Sequence, residues 1–464
     1  VKKVSVSLAG VLLLVLALVA GVSAGGNPPP SLSTGFQVQN RSTTDDATVA
    51  ITYYDASGAL VESDGDTIPA NASKAYYVPN VLGQPDGRYS VVLYSSQGLF
   101  TLVNEVTATG ASPNVEATHS GFSDTEIGSP LYLPWVVCGY YSYNSMIAIQ
   151  NAGDGDTNVT VEFYQSGQST AVRSYTFDDV HAGGAVFLDM TANPYKADLQ
   201  GTTSNGFYGA VKLFSTGDAT PLAAVLNDTN PTGGFLRSYN AVKGGSTDLV
   251  APQVTTSYYG FNTGITLQNP DAANTAHVEI RLYKTGEISP TVEYTSTVAP
   301  SSATGFYLPN IGTPAGFNGT AVVHSDIPVI GIANHDHVPA GPAASYNMIP
   351  VSEAQQTLYM PQVVRAYYGF ETGYQVYNVG PEEVTIEIEF FTTNGSTVTT
   401  IGHTIPAGSS VTSYLGDTRG AALGTMFNGG AKVSITSGNG GLIGIANFVS
   451  PYGGDYQRVY NMFY

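Results

Sequence analysis

The stretch Val384-Thr385-Ile386-Glu387-Ile388-Glu389-Phe390 alternates apolar and polar residues with a period of two. Successive side chains of a strand point to opposite faces, so the pattern predicts a strand with one dry and one wet face. Three more stretches read alike: Val49-Ala50-Ile51-Thr52-Tyr53, Val159-Thr160-Val161-Glu162-Phe163 and Val278-Glu279-Ile280-Arg281-Leu282. Each runs into a glycine turn, at Ser57-Gly58, Ser166-Gly167, Thr285-Gly286 or Asn394-Gly395, of the kind that closes hairpins by admitting positive φ.

Working outward, each copy is preceded by a strand ending in asparagine, at Asn40, Asn151, Asn269 and Asn378, spaced 111, 118 and 109 residues apart. Two phrases open the units. The first is an apolar strand containing proline: Leu131-Tyr132-Leu133-Pro134, Leu249-Val250-Ala251-Pro252 and Leu358-Tyr359-Met360-Pro361. The second is Tyr258-Tyr259-Gly260-Phe261 and Tyr367-Tyr368-Gly369-Phe370, with Tyr140-Tyr141 in the same place and Gly35-Phe36 as a remnant. Downstream come Ile68-Pro69-Ala70 and Ile405-Pro406-Ala407, where proline suits a strand end. Two further strands end each unit, as in Leu442-Ile443-Gly444-Ile445-Ala446-Asn447, followed by a closing phrase at Ser238-Tyr239-Asn240, Ser345-Tyr346-Asn347 and Val459-Tyr460-Asn461.

Seven or eight short strands in each ~110 residues is the strand count of an immunoglobulin-like sandwich, and a unit of that length can bury its own core. The chain resembles the tandem Ig-like or fibronectin-like β-sandwich repeat proteins of bacterial and archaeal cell surfaces. That resemblance lies in strand pattern and repetition, without a family-specific catalytic signature. The expected fold is all-β: a tandem array of about four Ig-like antiparallel β-sandwich domains after an N-terminal signal helix. The expected boundaries are residues 1–24 for the signal peptide, then 25–129, 130–247, 248–356 and 357–464 for repeats 1 to 4. Aligned on Asn40, the first repeat has its opening strand at about residues 19 to 26, inside or beside the signal, so a mature chain would lack it. Pro28-Pro29-Pro30 cannot replace that strand in a ladder.

The signal reading rests on Lys2 and Lys3, the apolar run Val4 to Ala20 and the small-residue site Val22-Ser23-Ala24. An uncleaved anchor is the alternative, since the run could just span a bilayer. Only 11% of residues are charged, while Gly reaches 53 and Tyr 31, a mix suited to pleated, half-buried surfaces. A net charge of −19 argues against nucleic acid or anionic membrane as partners. Cys138 is the only cysteine, so no intramolecular disulfide forms, and a buried small hydrophobe is expected there.

Candidate chemistry is sparse. His335-Asp336-His337 has the residue types of a metal site but no second cluster to complete it, and is read as a variable loop. Asp64-Gly65-Asp66-Thr67 and Asp154-Gly155-Asp156-Thr157 resemble fragments of calcium loops, yet Asp-Gly is also plain turn chemistry. The Tyr-Tyr-Gly-Phe phrase suits either packing or an aromatic platform for sugars, with one Tyr of each pair buried and the other exposed. Hydrolase elbows, metalloprotease helices and phosphate loops are missing from the sequence. The expectation is therefore a secreted, non-enzymatic structural or adhesive surface protein (a stalk, coat or filament component) with no catalytic, cofactor or metal residues. Its partners would be other surface proteins, itself or cell-envelope glycans, with the membrane met only through an uncleaved N-terminal segment. The alternative is a carbohydrate-binding surface protein using exposed tyrosines.

Overall fold

Val384–Thr392 forms the strand that its alternation predicts: Val384, Ile386, Ile388 and Phe390 are buried, while Thr385 and Glu387 face solvent. Each such buried side chain contributes about 1.5–3 kcal/mol through the apolar surface it removes from water. In the computed structural model the described residues are 11–16 (as backbone), 32–79, 87–107, 115–216, 220–230, 234–337, 341–450 and 457–464. The chain is all-β, and its strands pair antiparallel.

The last unit shows the pattern. Its strands, in order from opening to closing, are Thr357–Arg365, Glu371–Asn378, Val384–Thr392, Thr397–Ile405, Ser410–Tyr414, Phe427–Ser437, Leu442–Val449 and Gln457–Asn461. One sheet runs fourth, third, sixth, opening; the other runs fifth, second, seventh, closing. Met360, Ile388 and Val433 from the first sheet share one core with Tyr374, Val376 and Ala446 from the second, an arrangement compatible with a β-sandwich. The same pairing order recurs in the three preceding units. In the third, a single long strand, Phe317–His337, serves as both sixth and seventh. In the second, the opening strand Leu131–Tyr140 pairs with the second strand Tyr143–Asn151 and joins the two sheets.

The asparagines that mark each unit have one structural job. The Asn378 side-chain amide donates to the carbonyls of Glu382 (2.7 Å) and Ile405 (3.2 Å), while its Oδ1 accepts from the Gly380 N–H at 2.9 Å. Asn40 binds Asp45, Ile68 and the Ser42 N–H in the same way. Asn151 binds Gly155, Val180 and Gly153; Asn269 binds Asn274, Val298 and Asp271. Each thereby ties the loop after the second strand to the end of the fourth.

Proline in the opening strand is accommodated by a bulge. Pairing with the sixth strand shifts register between Leu133 and Val136, between Ala251 and Val254, and between Met360 and Val363. The closing-phrase tyrosine covers that bulge. Tyr239 Oη donates to the Trp135 carbonyl at 2.6 Å and accepts from the Trp135 N–H at 3.1 Å; Tyr346 makes both bonds to Gln253, and Tyr460 donates to the Gln362 carbonyl.

In the first unit the opening strand is Val11–Leu16. This corrects two expectations. The described part of the N-terminal segment is a strand and not a helix, because its backbone finds ladder partners in Tyr89–Ser95 and Phe122–Ser123. The strand also lies upstream of residues 19 to 26, leaving a longer connection to the second strand than the other units have. Residues 17–31, which include the small-residue cleavage site, fall outside the described set.

The units close into a ring. The closing strands Glu116–Ser120, Phe235–Asn240, Ala343–Asn347 and Gln457–Asn461 surround a central axis, each beside the next, and the last meets the first. Asparagine amides link them: Asn240 Nδ2 donates to the Ser120 carbonyl (3.0 Å), Asn347 to Asn240 (2.7 Å) and Asn461 to Asn347 (2.9 Å). The fourth link runs from Thr118 Oγ1 to the Val459 carbonyl at 3.0 Å. Further out, each unit's second strand sits against the opening strand of the preceding unit. Gln37 Nε2 donates to the Pro361 carbonyl (3.2 Å), and Gln375, at the equivalent position, donates to the Pro252 carbonyl.

Candidate functional site

The hairpin between opening and second strands ends in a two-residue turn with both residues at positive φ: Tyr141 (47°) and Ser142 (68°), Tyr259 (49°) and Gly260 (85°), Tyr368 (48°) and Gly369 (83°). This geometry matches the twist of paired strands and favours Asn-Gly. Backbone bonds between Tyr258 and Phe261, and between Tyr367 and Phe370, hold it closed. The first turn residue is tyrosine in all three hairpins, and its ring is largely in solvent, at 67%, 83% and 74% exposure for Tyr141, Tyr259 and Tyr368. Its neighbour, Tyr140, Tyr258 or Tyr367, is half-buried and meets it edge to face at 4.7 Å in every case. A left-handed conformation costs a residue with a Cβ about 1–2 kcal/mol. The aromatic pair returns about 0.5–1.5 kcal/mol. Folding therefore gains nothing clear from tyrosine there, which leaves the exposed ring available for contact with a ligand. Each pair thus divides into an exposed outer ring and a half-buried inner one, where the sequence suggested a buried inner ring.

Between the second and third units the hairpin tyrosines continue into an aromatic cluster. Tyr208 packs against Trp135 (4.7 Å) and Tyr140 (5.2 Å). Arg237, fully buried, lies over Trp135, Tyr143 and Phe235 and pairs with Asp228 of its own unit and Asp336 of the next. Burial alone would lower its pKa, but Asp336 and Asp228 more than reverse that, and the guanidinium stays charged. Arg458 repeats the device between the fourth and first units, meeting Glu116 at 2.8 Å and stacking on Phe370 and Phe448.

The other candidates are drawn apart. His335 lies in a strand and not a loop; it is buried, its Nε2 is 2.9 Å from the Gln253 carbonyl, and burial pushes its pKa down to about 4. Asp336 turns to Arg237 and His337 meets Phe261 edge to face, so the three side chains have no common focus. Among the described residues no group of three or more His, Cys, Asp or Glu is placed to hold a metal ion. Asp66 binds Lys74 and the Tyr76 hydroxyl; burial works to raise its pKa, but those bonds outweigh it and hold the carboxyl low. Asp156 bonds His181 at 2.8 Å. Cys138 is buried, donates to the Met190 carbonyl at 3.3 Å, and has its thiol pushed up to about 11 by burial.

Two features escaped sequence reading. Glu105 is completely buried between the first and second units, with Oε2 accepting from Asn227 Nδ2 at 2.7 Å and Oε1 without a partner. Burial pushes its pKa up to about 8, against the opposing Asn227 bond. The signal was a lone charge inside the run Leu102-Val103-Asn104-Glu105-Val106. The second is a cavity of about 560 Å³ at one end of the axis, walled by Ser120, Asn240, Asn347 and Asn461.

No protein-family model matches the chain, and no curated protein is similar to it. Among solved structures it is similar to the Thermotoga maritima 1070 protein, at 15% identity and TM-score 0.20, over 23% of this chain and 95% of that one. It is also similar to the Anabaena sensory rhodopsin transducer, at 20% identity and TM-score 0.17, over 19% of this chain and 92% of that one. Dimeric latent PorU from Porphyromonas gingivalis matches at 7% identity and TM-score 0.15, over 78% of this chain and 31% of that one.

Proposed function

We propose that this is a secreted, non-enzymatic surface protein of structural or adhesive role, whose four tandem Ig-like modules form a rigid disc for multivalent attachment. The observation that carries this reading is the recurrence of one exposed tyrosine, at one left-handed turn position, in three units. Its partners are other surface proteins, further copies of itself or cell-envelope glycans. Weak contacts made together gain apparent affinity of about 10²–10⁴ over single ones when geometry allows them to engage at once, and a rigid ring holds the three tips at constant spacing.

The second reading, recognition of carbohydrate, is favoured by the aromatic character of the tips, because a tyrosine face suits the apolar face of a pyranose. The test is binding of the purified chain to cell-envelope fragments and to a broad glycan array, beside the triple variant Tyr141→Ser, Tyr259→Ser, Tyr368→Ser. We expect the triple variant to lose at least tenfold in envelope binding with an unchanged melting temperature. Array binding lost in the same variant selects the glycan reading. Envelope binding that survives the triple change refutes both.

A further inference from the structure

We propose that Val11–Leu16 is a permanent structural strand, retained in the functional protein and not removed as a signal peptide, so that the surface location proposed above is reached without cleavage after Ala24. The slot it fills is then a strand-binding site for this apolar segment of the same chain. Register carries the argument. Leu12 pairs with Leu93 and Leu14 with Val91. In the last unit the equivalent pairs are Leu358 with Val433 and Met360 with Ala431; in the third they are Leu249 with Val323 and Ala251 with Ala321. The opposite edge agrees as well. Leu13 pairs with Phe122, as Val250 pairs with Ile349, Tyr132 with Val242 and Tyr359 with Phe463. The segment thus meets both neighbours at the positions every other opening strand uses.

The surroundings are adapted to this occupant. Val11–Leu16 pairs with Tyr89–Ser95 without a register shift, so among these described residues the strand has no bulge of the kind the other opening strands carry. The closing strand of the first unit also lacks the tyrosine that covers the bulge elsewhere; His119 stands there, buried. The strand runs beside Tyr143–Asn151 and Leu222–Asn230 of the second unit, next to an apolar cluster that includes Val92, Phe122, Met146 and Val225. Removing residues 11–16 would leave the first sheet without its opening strand and Tyr89–Ser95 without that ladder partner. The proline run that follows supplies no replacement.

The test pairs two measurements. One is the intact mass of the unmodified protein recovered from the cells that make it. The other is oxidative cross-linking in the full chain of Leu13→Cys with Val92→Cys, against the register control Leu13→Cys with Val91→Cys. We expect a mass that includes residues 11–16, a nearly complete intrachain disulfide for the 13/92 pair and none for 13/91. A native mass beginning near residue 25, a 13/92 pair that stays reduced, or a link that doubles the mass by joining two chains would each overturn the assignment. Should the variants fail to fold, the native mass alone decides.

Discussion

Glu105 places an ionisable group where an amide or apolar side chain would be less costly, and the consequence can be signed. Its folded pKa of about 8 lies above the ordinary carboxylate range, so between those values the folded protein binds a proton that the unfolded chain does not. Stability contributed by this group is present at low pH and is lost as pH rises from about 4.5 through 8. Glu105→Gln keeps an acceptor for Asn227 and removes the titration. We expect it to melt higher than the parent at pH 8 and to differ little at pH 5. Equal melting curves at pH 8 would show that the carboxyl is not titrating in this range. Asn378 makes a complementary case. Its residue type was visible in the sequence as a marker of the repeat, but its bonds were not, because the carbonyls it reaches belong to loops brought close only by folding. Asn378→Ala leaves buried backbone groups unpaired, so it should cost about 1–3 kcal/mol in denaturant titration.

Strands and hairpins were legible wherever one face is wet. The third strand of each unit alternates, and its turn glycines stand where left-handed φ is needed, as at Gly395 (85°). Proline in the opening strand conveyed less. Its position between two neighbours required a bulge, and the residue that closes the bulge lies about a hundred positions further on. The tyrosine hydroxyl at that point is a structural group. Tyr346→Phe should lower stability by about 1–3 kcal/mol, since the Gln253 N–H and carbonyl lose a buried partner. Tyr259→Phe removes a hydroxyl of the same chemistry from an exposed turn, and its free energy of unfolding should stay within about 0.5 kcal/mol of the parent. Comparing the two by urea unfolding separates tyrosines that hold the fold from tyrosines free to bind, and equal losses would remove that distinction.

Ring closure was the least legible feature, although a trace of it was present. The seventh strand Leu442–Val449 is buried over nearly its whole length and in sequence appears as an apolar run without alternation, whereas the second strand Leu32–Asn40 alternates at Phe36-Gln37-Val38-Gln39 and yet is buried on both faces there. A strand buried on both faces needs a second covering layer. In this protein that layer is the neighbouring unit, supplied through side chains as distant as Gln37 and Pro361. Four head-to-tail contacts of one kind generate either an open array or a closed ring, depending on the rotation between neighbours. Here Thr118, Asn104 and Glu116 of the first unit meet Val459, Gln362 and Arg458 of the last, so the rotation closes. Solution scattering tests this directly. A compact body of this length has a radius of gyration of about 23 Å, whereas four separate hundred-residue bodies in a line would give about 40 Å. We expect a value near the lower figure, and weakening of the first-to-last seam by Arg458→Ala to shift it upward before the units themselves unfold. Such a response would identify the seam as the ring's opening point, while an extended profile for the parent protein would mean that the units stand in line and that the tyrosine tips lack a common frame.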